Sequence, residues 1–231
     1  MGIPITVGVT GHRDLCGEDV PALQALVREE LKKIKAAYPD SPLRMLNSAA
    51  AGADMLCAEI ALEEGFELIC PLPAERDIYR RDFSEEDAPR FDSILSRASE
   101  VFVSPATESG EDSRSYRFRQ AGIYVVRHCH VLLALWDGEP PKKGGCGTAE
   151  AVDFMLNGNY ENAGSLNPGG AVIWINTRRQ KGTGSGDAFV KLLENEPGTL
   201  DRILTETDRF NRECRKCDFP QKHLLHERVP E

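Results

Sequence analysis

Short apolar runs alternate with stretches of helical periodicity along most of the chain. The runs are Ile5-Thr6-Val7-Gly8-Val9, Leu43-Arg44-Met45-Leu46, Glu67-Leu68-Ile69-Cys70, Val101-Phe102-Val103, Val131-Leu132-Leu133-Ala134-Leu135-Trp136 and Ala171-Val172-Ile173-Trp174-Ile175. Near-continuous apolarity over so few residues marks strands covered on both faces. Between the first two runs, Leu23, Leu26, Val27, Leu31 and Ile34 recur at helical spacing, with Arg28, Glu29, Lys32 and Lys33 on the opposite side. Residues 53–64, 84–98, 113–128 and 148–156 read as further helices, as do 189–193 and 200–214. Residues 105–112 and 178–187 read as irregular. The βαβα succession predicts an α/β fold, a three-layer sandwich around a mainly parallel sheet. It occupies residues 1–198, with a C-terminal helix and a polar tail or linker over 199–231.

Composition narrows what such a fold can do. The 231 residues carry 28 Lys plus Arg against 37 Asp plus Glu, a net charge of −9, which argues against a bulk-charge grip on nucleic acid. An anionic ligand must therefore be caught locally. No apolar run reaches the roughly 18 residues of a membrane span, and the N-terminus lacks the regions of a signal peptide. Seven scattered cysteines in no compact framework point to a reducing, cytoplasmic setting.

In a parallel α/β sheet, ligands sit beyond the carboxyl ends of the strands, where loops meet helix N-termini. Three loops rich in small residues fall there: Thr10-Gly11-His12-Arg13-Asp14, Ser48-Ala49-Ala50-Ala51-Gly52-Ala53-Asp54, and the stretch from Asp137 through Gly144-Gly145-Cys146-Gly147-Thr148-Ala149-Glu150. A helix start presents unpaired N–H groups, so Gly144 to Thr148 can cradle a phosphate without net basic charge, Lys142 and Lys143 adding local charge. Neither a Walker A lysine-serine pattern nor Gly-x-Gly-x-x-Gly is present, which disfavours P-loop and ordinary dinucleotide enzymes.

The Gly144–Glu150 block resembles the Gly-Gly-x-Gly-Thr-x-Glu signature of LOG-type nucleotide phosphoribohydrolases. Val9-Thr10-Gly11-His12-Arg13, Ala51-Gly52-Ala53-Asp54 and Ala134-Leu135-Trp136-Asp137-Gly138 resemble the matching blocks of the wider SLOG superfamily, which also holds the DNA-processing protein A domain and bacterial nucleotide sensors. The resemblance spans roughly residues 5–176. It implies a modified Rossmann fold with a nucleotide pocket along the strand ends, and, by analogy with LOG-like enzymes, a homodimer. It also implies a possible appended or separate effector. In the enzyme branch the glutamate matching Glu150 helps split an N-glycosidic bond, together with an arginine near the start of the helix after the second glycine-rich loop. This chain departs there: no arginine occurs between Arg44 and Arg76, and Lys143 stands where the enzymes carry proline. Binding of a nucleotide-derived small molecule is therefore the preferred expectation, with a nucleoside 5′-monophosphate phosphoribohydrolase, Glu150 catalytic, as the alternative. No cofactor is expected.

Loops and resemblance together make the expected ligand-facing set Gly11, His12, Arg13, Ala51, Gly52, Asp54, Arg76, Tyr79, Asp137, Gly144, Gly145, Gly147, Thr148 and Glu150. Within it, Arg76 and Tyr79 belong to the segment Pro71 to Phe83, which suits bidentate phosphate pairing and base stacking; the similar sensor domains carry a comparable pattern. Its competing reading is a solvated loop with Tyr79 anchored in the core. His12 can shift protonation near neutral pH, but a loop-holding hydrogen bond is the favoured role, and Asp54 either caps a helix or meets a ribose hydroxyl. Arg114, Tyr116 and Arg117 form a second candidate rim, and Trp136 reads as packing. Cys214, Cys217, His223 and His226 have zinc-type residues at a gap too short for common fingers, so a tail is favoured and no metal is expected.

Overall fold

The structure is a computed structural model and describes residues 2–105, 113–141, 147–158, 170–181 and 186–216. Its strands are β1 (Ile5–Gly11), β2 (Leu43–Leu46), β3 (Glu67–Leu72), β4 (Glu100–Val103), β5 (Val131–Trp136), β6 (Ala171–Asn176) and β7 (Val190–Glu194). They form one sheet in the order β4-β3-β2-β1-β5-β6-β7. Every neighbouring pair is parallel except β6 and β7, which are antiparallel. The helices are α1 (Val20–Ala37), α2 (Ala53–Glu63), the single turn α3 (Arg76–Tyr79), α4 (Asp87–Arg97), α5 (Arg114–Arg127), α6 (Thr148–Asn157) and α7 (Thr199–Lys216). The expected α/β sandwich with a mainly parallel sheet is the fold observed.

Strand alternation assigns side chains to two cores. Ile5, Val7 and Val9 of β1 and Leu133 and Leu135 of β5 join a cluster with α1, α2 and α4. Leu132 and Ala134 of β5 and Val172 of β6 point the other way, into a cluster with α5 and α6. Both faces of the central strands are thus covered, which is why they read as continuous apolar runs rather than alternating ones.

One element departs from expectation. Residues 189–193, expected to be helical, form most of β7 and pair with β6, Val190 opposite Ile175 and Leu192 opposite Ile173. Five residues of mixed apolarity are too few for periodicity to choose between helix and strand; the unpaired edge of β6 made the choice. The helix expected at 200–214 runs Thr199–Lys216. It docks through polar groups: Asn211 donates to the Ile3 carbonyl at 2.8 Å and accepts from the Ile3 N–H at 2.7 Å, while Asp208 accepts from the Asp40 amide and the Ser41 hydroxyl.

Among the described residues no helix is long and apolar enough to cross a membrane. Cys16, Cys57, Cys70, Cys129 and Cys214 are free thiols. Cys217, His223 and His226 lie outside the described residues, as do Lys142, Lys143, Gly144, Gly145 and Cys146.

Candidate functional site

The sheet order reverses direction between β1 and β5: the chain steps outward from β1 through β2 to β4, then returns to the other side of β1. Beyond the carboxyl ends of such a pair the connecting loops splay apart and leave a crevice. Here it is a cleft of about 470 Å³, walled by His12, Arg13 and Asp14 after β1, by Ser48, Ala50 and Asp54 around the start of α2, and by Trp136 and Asp137 after β5. Gly147, Thr148 and Glu150 at the start of α6, Phe118 and Arg119 of α5, Tyr79 of α3 and Arg179 after β6 complete it.

Two glycines allow the first two loops to close on one another. A Cβ on Gly11 would lie 2.3 Å from the Ala53 Cβ, so α2 starts hard against β1. Gly52 has φ of +78°, and a Cβ there would lie 2.4 Å from the Arg13 carbonyl oxygen. The His12 carbonyl then accepts from the Ala53 N–H at 3.0 Å. Ala51 and Gly52 stand behind this contact and do not wall the cleft; Gly11 borders it.

His12 ties the first loop to the third. Its Nε2 accepts from the Asp137 N–H at 3.1 Å, with Asp137 Oδ1 also 3.1 Å away. Burial pulls the imidazole below its ordinary pKa of 6.5, against the opposing pull of Asp137. Burial thus favours the neutral ring, whose Nε2 can hold the Asp137 amide.

Asp54 is buried in the first turn of α2 and accepts from the Ala50 N–H at 3.3 Å. Burial raises its carboxyl to about 7, with the Ala50 hydrogen bond and the Arg13 charge pulling the other way. The Arg13 guanidinium lies over the Phe118 ring, 4.8 Å from its centroid. Arg13 is in no ion pair among the described residues. The other two arginines of the cleft are matched: Arg179 with Asp14 at 2.9 Å and Arg119 with Glu150 at 2.9 Å.

The start of α6 supplies the amides. The first internal bond of this helix runs from the Ala151 N–H to the Gly147 carbonyl, so the N–H groups of Thr148, Ala149 and Glu150 have no partner within the helix. All three residues wall the cleft. Of the expected glycine cradle, Gly147 is described and Gly144 and Gly145 lie outside the described residues.

Arg76 does not wall the cleft; it pairs with Asp92 of α4 at 2.9 Å, on the outer surface. Tyr79 is 1% exposed, its ring set edge-on to Phe83, Phe91 and Phe118 at 5.0–5.6 Å, so it cannot stack a base. Arg114 pairs with Asp82 at 2.6 Å, and none of Arg114, Tyr116 and Arg117 reaches the cleft, whereas their neighbours Phe118 and Arg119 do. Trp136 borders the cleft while donating from Nε1 to the Glu139 carbonyl at 3.0 Å.

Arg119 is the residue that the sequence hid. It stands on α5 and is placed on Glu150 by the packing of α5 against α6. No spacing in the chain announces a partner 31 residues away on a different helix. Asp14 and Arg179 were hidden in the same way, joined across 165 residues.

No protein-family model matches the chain, and neither does any curated protein. Similar solved structures do exist. DNA processing protein A from Streptococcus pneumoniae superposes with a TM-score of 0.44 at 15% identity, covering 65% of this chain and 47% of that one. DNA processing protein A from Helicobacter pylori, described for its single-stranded DNA binding mode, gives 0.45 at 14% identity, covering 92% and 81%. The structural-genomics protein TM1055 gives 0.33 at 15% identity, covering 58% and 61%. This chain thus matches about half the length of the Streptococcus protein. What the cleft can hold is decided by the chain's own side chains.

Proposed function

We propose that the cleft binds a nucleotide-derived small molecule and that the protein senses it. The observation that carries this reading is the meeting, at the β1/β5 reversal, of a helix N-terminus with an arginine that has no carboxylate partner among the described residues. The α6 amides and Arg13 can receive phosphate oxygens in a protein of net charge −9. Phe118, Ile123 and Phe154 offer an apolar wall for a base. The occupied state is passed to a partner or an appended effector, in a cytoplasmic homo-oligomer.

Calorimetry with nucleoside 5′-monophosphates, preceded by mass spectrometry of small molecules that travel with the purified protein, tests the reading. Saturable binding without turnover, weakened at least about tenfold by Arg13→Ala, is the expected result. An empty protein that binds none of them overturns it.

The Arg119–Glu150 pair favours a second reading, hydrolysis of the N-glycosidic bond of a nucleoside 5′-monophosphate. Glu150 would orient or deprotonate at the ribose while water attacks, and Arg119 would hold that carboxylate in place. Release of free base from AMP, abolished by Glu150→Gln, establishes hydrolysis; binding without release excludes it. Single-stranded DNA, named for the Helicobacter protein, is disfavoured here by five carboxylates against three arginines around the cleft, and a gel shift at moderate salt tests it.

A further inference from the structure

The Tyr79 hydroxyl is one of two buried side-chain groups among the described residues with no hydrogen-bond partner, the other being that of Ser104. An unsatisfied buried hydroxyl is uncommon, and each instance calls for a reason. The ring of Tyr79 is fully engaged with Phe83, Phe91 and Phe118, so packing explains the ring and leaves the oxygen unexplained. The residue lines the cleft. Arg13 and Asp54, cleft residues that arrive from different loops, are among the titratable groups around it, with Asp82 and Cys70. Asp54 in turn receives one hydrogen bond, from Ala50, on a carboxyl that has room for more.

Tyr79 and Asp54 differ in kind from the groups at the start of α6. That end offers amides and suits an anion. The Tyr79 end offers a phenol and a carboxyl, both able to accept a hydrogen bond, and the phenol to donate one as well. A phosphate oxygen only accepts, whereas a sugar hydroxyl, itself donor and acceptor, is matched by both. We infer that Tyr79, with Asp54, forms a sugar subsite that takes the ribose hydroxyls of the ligand, Arg13 being left to the phosphate. The phosphate lies at α6, so the ligand class is a ribose-bearing nucleotide rather than a deoxy one. This inference rests on the nucleotide reading of the cleft.

The test compares the four ribonucleoside 5′-monophosphates with their 2′,3′-dideoxy counterparts by calorimetry, on the wild-type chain and on Tyr79→Phe. Because the hydroxyl has no partner in the fold, Tyr79→Phe is expected to melt at or above the wild-type temperature. The wild type is expected to favour the tightest-binding ribonucleotide over its dideoxy form by about tenfold, the effect of one or two hydrogen bonds. Tyr79→Phe should weaken the ribonucleotide several-fold and leave the dideoxy form unchanged, shrinking the discrimination. Equal wild-type binding of both forms, or discrimination untouched in Tyr79→Phe, overturns the sugar subsite and leaves the nucleotide reading standing. Binding of neither form overturns both.

Discussion

Arg119 of α5 and Glu150 of α6 meet at 2.9 Å on the wall of the cleft, so the carboxylate in the first turn of α6 carries its own counter-charge. Removing the arginine while keeping the acid leaves a negative group beside the proposed phosphate position. Arg119→Met is expected to weaken nucleoside monophosphate binding about tenfold, and Arg119→Met with Glu150→Gln to recover most of that loss. Titration calorimetry on the two variants reads this directly; a double variant no better than the single one contradicts it.

Gly52 permits the contact on which the first two loops depend. With φ at +78° and the Arg13 carbonyl 2.4 Å from the position of any Cβ, Gly52→Ala is expected to cost more than about 2 kcal/mol. Gly17→Ala, where nothing lies within 4 Å, should change little. Urea unfolding of both variants tests the contrast, and similar midpoints would speak against a close-packed loop pair.

Asp54 makes stability depend on pH in an unusual direction. Burial keeps its proton on in the folded chain up to about pH 7, whereas the unfolded chain releases it near 3.8. Between those values the folded state holds the extra proton, so the contribution of Asp54 to stability is present at the acid end and declines as pH rises through the window. Measured from pH 4.5 to 7.5, the difference in unfolding free energy between wild type and Asp54→Asn should shift steadily in favour of the variant. Parallel curves would show that Asp54 ionises normally.

Asn211 anchors the C-terminal helix to the first residues of the chain. Its side chain bonds both the N–H and the carbonyl of Ile3 and also the Ser41 hydroxyl, all at 2.7–2.9 Å. Asn211→Ala leaves these buried or part-buried groups without their partner and is expected to cost about 1–3 kcal/mol. Thermal unfolding checks it, with exposed Arg209→Ala as the control.

The doubly wound sheet was legible because buried parallel strands need continuous apolar runs, and Val131 to Trp136 and Ala171 to Ile175 display them openly. The loops Gly11-His12-Arg13 and Gly52-Ala53-Asp54 stood out by their small residues, read as room for a ligand; only the packing shows Gly52 spent on the Arg13 carbonyl and Gly11 on Ala53. Residues 189–193 were not legible, since so short a stretch carries no dependable period and β6 supplied the deciding partner. Tyr79 was legible as a cleft residue but in the wrong capacity, because only the packed positions of Phe83, Phe91 and Phe118 reveal that its face is taken.

Local chemistry, then, is what the amino-acid order determined on its own: which buried segments must be strands and where the chain must turn tightly. Tertiary structure decided which charges face one another. Arg119 on Glu150, Arg179 on Asp14 and Arg13 over the Phe118 ring are outcomes of helix and loop packing between residues far apart in the chain. Hydrogen bonds and ion pairs act over a few ångströms of space, and nothing along a one-dimensional sequence measures that distance.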